Sequence, residues 1–157
     1  FPNIIVLRTF SKAFGVPSIR AGYTLSNEKN MSIISKARIA HELSSVSIAV
    51  AEYLLDNYHI VKRNSDLIKK SRKIVKKKLE EIGLYSRSQF GNYVLIKFKK
   101  SDDAIKVVKY LRKKLIYVKG PYSKPWNNYI NISLGPPSLM KRFIREIRAA
   151  KTRRLFS

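Results

Sequence analysis

The chain has 157 residues, 45% of them hydrophobic and 27% charged, and its 33 Lys and Arg against 10 Asp and Glu give a net charge of +23. That suits one domain of ordinary size, or parts of two, with a real core, while the lack of Cys and the presence of only two histidines, His41 and His59, leave no disulfide framework and no expected metal site. No apolar run approaches the roughly 18 to 20 residues that span a bilayer and the first residues do not form a secretory signal, so the expectation is a soluble, cytoplasmic protein with no membrane partner.

The chain opens on Phe1 and is apolar within three positions, which leads us to expect the C-terminal part of a longer protein. Asn3-Ile4-Ile5-Val6-Leu7 is short, apolar and β-branched, the pattern of an interior strand covered on both faces. Gly15, Pro17 and Ser18 are turn formers, so residues 9–18 read as a loop at that strand's C-terminal end, where open α/β sheets generally place ligands. Ile19 to Leu25 reads as a second strand containing Arg20. Ser26-Asn27-Glu28 opens a helix through Met31, Ile33, Ile34 and Ala37. After a polar break near His41-Glu42, Ser44 or Ser45 starts another.

An amphipathic stretch from about Ile60 to Ile82 has apolar residues close to a 3.6 period, and Gly83 is placed to stop it. The rhythm then changes. Tyr93 to Phe98 reads as a strand, Ser101-Asp102-Asp103 as the start of a helix through Leu111, and Leu115 to Val118 and Tyr129 to Leu134 as strands. Pro136-Pro137-Ser138 leads into a final helix from Leu139 to Ala150, followed by a frayed tail from Lys151. The β-α-β-β-α order describes a small α+β module. The lysines of Lys69-Lys70, Lys76-Lys77-Lys78 and Lys113-Lys114 fall opposite the apolar stripes of these helices. A solvated face accounts for them, and no nucleic-acid partner is expected.

The chemistry is concentrated in Thr9-Phe10-Ser11-Lys12-Ala13-Phe14-Gly15. A lysine becomes catalytic when its amine forms a Schiff base with a carbonyl that a substrate amine can then displace. Pyridoxal phosphate is the usual carbonyl partner, acting as an electron sink. Its phosphate needs donors near that amine: Thr9 and Ser11 offer hydroxyls, and Arg20 a charge-assisted and potentially bidentate grip. Singly, Lys12 reads as a solvated loop lysine, Ser11 as a turn residue and Arg20 as a surface arginine. Together, after an apolar strand, they read as a site.

Residues Ile5 to Gly15, continuing to Ile19-Arg20-Ala21-Gly22-Tyr23, closely resemble the lysine segment of fold-type-I pyridoxal-phosphate aminotransferases, and most nearly the histidinol-phosphate aminotransferase family. The resemblance covers nearly the whole chain. Ser88 to Tyr93 is similar to the family's approach to the first strand of its small domain, Leu115 to Lys119 to its Gly-Ile-Val-Arg strand, and Ile130 to Gly135 to its Leu-Arg-Ile-Ser-Ile-Gly segment.

The resemblance implies an α/β fold: the end of a large mixed-sheet domain (residues 1–45), connecting helices (46–83) and a small C-terminal α+β domain (84–157). It implies that Lys12 carries pyridoxal 5'-phosphate as an internal aldimine and that Thr9, Ser11 and Arg20 bind its phosphate. An amino group would then move between a small-molecule donor and a keto acceptor in a homodimer. Asn131 stands where the family has a substrate-binding arginine, and Lys119 where a second arginine is common. Both are candidate substrate-binding residues, but asparagine cannot form a bidentate guanidinium clamp. Another fold-type-I reaction (decarboxylase, lyase or acyl transferase) is one alternative reading, and a basic nucleic-acid-binding module is the other. The family's pyridine-nitrogen partner and ring-stacking residue lie upstream of its lysine. The 157-residue chain alone is therefore expected to bind cofactor poorly and turn nothing over.

Overall fold

A computed structural model describes residues 1–39 and 42–157. His41, at the expected polar break, lies outside the described residues. The chain forms two compact units, Phe1–Ser65 and Asp66–Ser157.

In the first unit, β1 (Val6–Thr9) pairs antiparallel with β2 (Gly22–Leu25), in the register Val6↔Leu25 to Thr9↔Gly22. The expectation of an interior strand covered on both faces is not met, since Leu7 is 76% and Leu25 56% exposed. Among the described residues the pair forms a two-stranded sheet, and the core of this unit lies beyond its end, beneath the connecting loop. The second strand is also shorter than expected. Pro17 starts a single 3-10 turn, Pro17–Ile19, and Arg20 ends it with φ 54°. Proline's fixed φ suits the first position of such a turn and works against an extended entry.

Helix α1 (Glu28–Ser35) is capped by Asn27, whose side chain accepts from the Asn30 N–H at 2.9 Å. Helix α2 (Ser45–Asp56) is capped in the same way by Ser44, at 3.1 Å from the Ser47 nitrogen. Helix α3 (Tyr58–Glu80) contributes to both units. Gly83, at φ +73°, ends its last turn as expected, with the Leu84 N–H reaching back 3.0 Å to the Leu79 carbonyl.

The second unit is built on a three-stranded antiparallel sheet in the order β3 (Tyr85–Arg87), β4 (Tyr93–Lys97), β5 (Tyr129–Ser133). Side chains alternate in period two: Val94, Ile96, Ile130 and Ile132 are buried against α3, α4 (Ser101–Lys113) and α5 (Pro137–Thr152), through Val75, Leu79, Val107, Leu111, Phe143 and Ile147. Ser86 of β3, opposite Ile96, shares that buried face, and the remaining strand residues point away from it.

Three expectations are corrected. Leu115 to Val118 is not a strand, because α4 ends in a turn that sends the Ile116 N–H back to the Leu111 carbonyl at 2.9 Å and puts Leu115 at φ 56°. Pairing resumes only at a bridge between Lys119 and Asn131. Strand β3 supplies the missing sheet member, so the order is β-β-α-β-α. The tail is not frayed, since Phe156 is 4% exposed and meets Phe98 edge-on with ring centroids 5.3 Å apart.

Polar contacts support this packing. The Ser71 hydroxyl donates to the Gly135 carbonyl at 2.7 Å. Between α4 and α5 the Tyr110 hydroxyl donates to Glu146, which also accepts from Arg145. The Arg145 hydrogen bond, helped by that of Tyr110, holds the Glu146 carboxyl below the usual glutamate range against the opposing effect of burial. A depressed folded-state value adds stability that is present above the unfolded pKa and lost as pH falls through the folded one. Thermal midpoints measured from neutral pH down into the range below ordinary glutamate should therefore fall more steeply for the parent than for Glu146→Gln; parallel curves would contradict this. Phe156→Ala should cost about 3 kcal/mol in denaturant titration, as for other buried aromatics, whereas a frayed tail would cost nothing measurable.

Candidate functional site

Lys12 sits on the loop between β1 and β2, and the physical problem is to hold an exposed amine in a fixed place. The ladder solves part of it. Beyond Thr9↔Gly22, the Phe10 N–H donates to the Ala21 carbonyl at 3.1 Å, so Ser11 and Arg20 face each other where pairing ends. Phe10 and Ala21 are buried with Leu54 of α2, and Phe14, Val16 and Ile19 pack around them. The Phe10 and Phe14 rings lie 4.4 Å apart. Two phenylalanines four positions apart are thus driven inward, while the residues between them are turned outward. Within the loop the Gly15 N–H donates to the Lys12 carbonyl at 3.0 Å and the Val16 N–H to the Phe10 carbonyl at 3.2 Å. Gly15, at φ +77°, is the one loop position that needs glycine's freedom.

The loop therefore brings four of the expected residues together: Thr9, Ser11, Lys12 and Arg20. The Ser11 N–H donates to the Thr9 hydroxyl oxygen at 3.1 Å. Lys12 is exposed and enters no ion pair among the described residues. Arg20 adopts a left-handed backbone conformation, costing about 1 kcal/mol for a residue with a Cβ, and its Nη1 donates to the Pro17 carbonyl at 3.0 Å. The other guanidinium donors remain available. No acidic residue occurs between Phe1 and Asn27. An amine, two hydroxyls and a guanidinium on one loop, with no carboxylate, form a donor set suited to a phosphate and an aldehyde.

Lys119 and Asn131 lie in the second unit, where the structure places them side by side. They exchange backbone hydrogen bonds of 2.9 and 2.7 Å, and the period-two alternation turns Asn131 away from the buried Ile130 and Ile132. Asn131 is half-buried and Lys119 exposed.

Two features went unread in the sequence. Gly22 is required by contact rather than by φ, because a Cβ there would lie 2.7 Å from the Arg8 carbonyl oxygen; a glycine directly after the arginine-alanine pair was its signal. Arg72 of α3 donates to the Ser88 hydroxyl at 3.1 Å and to the Gly91 carbonyl, and Ser88 donates in turn to the Tyr93 carbonyl at 2.5 Å. That network pins the turn before β4, and no local pattern announces it.

The fold is the α/β fold of solved aminotransferases. The histidinol-phosphate aminotransferase structure from Clostridium acetobutylicum superposes with a TM-score of 0.86 at 19% identity, over 98% of this chain and 47% of that one. The chain belongs to the family described as aminotransferase class I and II, whose model matches residues 2–147. It is 34% identical over 152 residues to the histidinol-phosphate aminotransferase of Pyrococcus furiosus, a match covering 94% of this chain and 43% of the relative. A histidinol-phosphate aminotransferase from Sinorhizobium meliloti, solved in complex with pyridoxal-5'-phosphate, is 29% identical with a TM-score of 0.82, over 94% of this chain and 42% of its own. The chain thus spans less than half the length of these relatives.

Gly22→Ala should force the hairpin apart at Arg8, and we expect a loss of about 2 kcal/mol, typical of a buried steric conflict. An unchanged unfolding midpoint would contradict the close approach.

Proposed function

We propose that this chain is the C-terminal portion of a pyridoxal-phosphate-dependent aminotransferase of the histidinol-phosphate aminotransferase type. The observation that carries the reading is the exposed Lys12 held on a rigid turn beside Thr9, Ser11 and Arg20, in a chain that belongs to the aminotransferase class I and II family. On this reading residues 1–45 end the large cofactor domain, 46–83 are connecting helices and 84–157 form the small domain, with the complete protein a cytoplasmic homodimer.

When bound, pyridoxal phosphate supplies an aldehyde and a ring that withdraws electrons from the substrate carbon. The protein residues do the rest. The Thr9 and Ser11 hydroxyls and the Arg20 guanidinium would hold the phosphate, the guanidinium through charge-assisted hydrogen bonds. Lys12 Nζ would be the amine that holds the aldehyde and, when free, the base that carries a proton away from the substrate carbon bearing nitrogen and delivers it to the cofactor's former aldehyde carbon.

Lys119 and Asn131 are the proposed substrate contacts, with Lys119 a point charge for an acidic group of the amino donor or keto acceptor. The uncharged amide of Asn131 favours keeping a second reading, in which the same lysine serves a decarboxylase, lyase or acyl transferase.

In the full-length protein, adding pyridoxal phosphate should produce a visible absorbance band that Lys12→Ala abolishes and whose half-saturation Arg20→Ala raises at least about tenfold, the loss of one charge-assisted pair. Recovery of the donor's amino group on the keto acceptor, with a keto compound left from the donor, separates transamination from the second reading. A band unaffected by Lys12→Ala would overturn the assignment.

A further inference from the structure

The charge of the chain is unevenly spread. Asp66–Ser157 holds 25 of the 33 basic residues and six of the ten acidic ones, a net of +19 of the total +23. Reading the lysines as solvated helix faces accounts for their exposure but not for their crowding.

Helices α4 and α5 run antiparallel, since Tyr110 bonds to Glu146 and the Lys114 carbonyl accepts from Arg142 at 2.6 Å. Along their seam the cations converge on one ring. Lys114 Nζ lies 6.0 Å and the Arg153 guanidinium 5.8 Å from the centroid of Tyr110. Arg142 is anchored one turn away, at the Lys114 carbonyl, and Arg145 beside it at Glu146. Glu146 on α5 accepts from Arg145 on one oxygen and from Tyr110 on the other. The α4 C-terminus, with its outward carbonyls, offsets a little of the repulsion. Among the described residues none of Lys114, Arg142 and Arg153 forms an ion pair with a carboxylate.

We infer that the α4–α5 seam is a binding surface for the phosphate backbone of nucleic acid, read without sequence preference. Cations from two adjacent helices that are not tied up in ion pairs match a ligand with regularly spaced phosphates, whose binding releases condensed counter-ions. A membrane surface suits the seam poorly. The apolar faces of both helices (Val107, Leu111, Phe143, Ile147) are buried in the core, which leaves no hydrophobic face to enter a bilayer. The surface is separate from the Lys12 loop and does not depend on the reaction proposed there.

The test is fluorescence anisotropy of a labelled DNA duplex of about two helical turns, titrated with the protein over a range of salt concentrations. Binding should weaken linearly in log–log form with added salt, with a slope of about −0.9 per phosphate contacted. Lys114→Gln with Arg153→Gln should weaken binding about tenfold and reduce that slope by about two contacts. The paired change Lys29→Gln with Lys36→Gln, exposed on α1, should alter binding less than about twofold, one ion pair's worth or less. Lys114→Arg, which preserves charge, should retain binding and thereby exclude a folding artefact. The inference is overturned if the parent does not bind at low salt, if both neutralised pairs lose affinity equally, or if phosphatidylserine vesicles or an acidic peptide compete as well as unlabelled duplex.

Discussion

The closing of the β1–β2 ladder at Phe10 and Ala21 is the constraint on which the candidate site depends. One backbone hydrogen bond there sets Ser11 opposite Arg20, and the burial of both residues against Leu54 keeps it from fraying. An exposed lysine gains little from its own contacts, so its position has to come from neighbours that have reason to stay put. Phe10 and Phe14 provide that reason through apolar area removed from water. The polar face of the same loop is left free to bind.

The second unit solves a different problem. A three-stranded sheet needs one face covered to be stable in water, and α3, α4 and α5 cover it with one continuous apolar core that the C-terminal Phe156 completes. The other face stays open, and the Lys119–Asn131 bridge extends it by one paired position. The price of that arrangement is a run of exposed strand residues, including Tyr85 and Tyr93.

Much of this was legible in the sequence because local signals and burial agree. The helix starts at Asn27 and Ser44, the stop at Gly83 and the alternation through β4 and β5 each follow from a residue type acting on its own backbone. Thr9, Ser11, Lys12 and Arg20 were legible as a group because the loop that joins them is short. What escaped was set by contacts that residue type alone does not announce. Leu115 to Val118 is apolar and β-branched enough for a strand, yet the way α4 terminates takes that segment's hydrogen bonds. Phe156 looks like tail until Phe98, far upstream, gives it a partner. The apolar run from Ile4 to Leu7 has strand character without the two covered faces expected of it, because burial depends on what else is present and not on the run itself.

The account stands on Lys12 as the residue that bonds the cofactor. Borohydride reduction of the full-length protein with pyridoxal phosphate, followed by peptide mass mapping, tests this directly, since reduction converts a lysine–aldehyde bond into a stable tag. The account predicts a single tag at Lys12, formed at the lowest cofactor concentrations and displaced by an excess of amino substrate. A tag spread over the many exposed lysines, or one fixed on a lysine elsewhere, would contradict it.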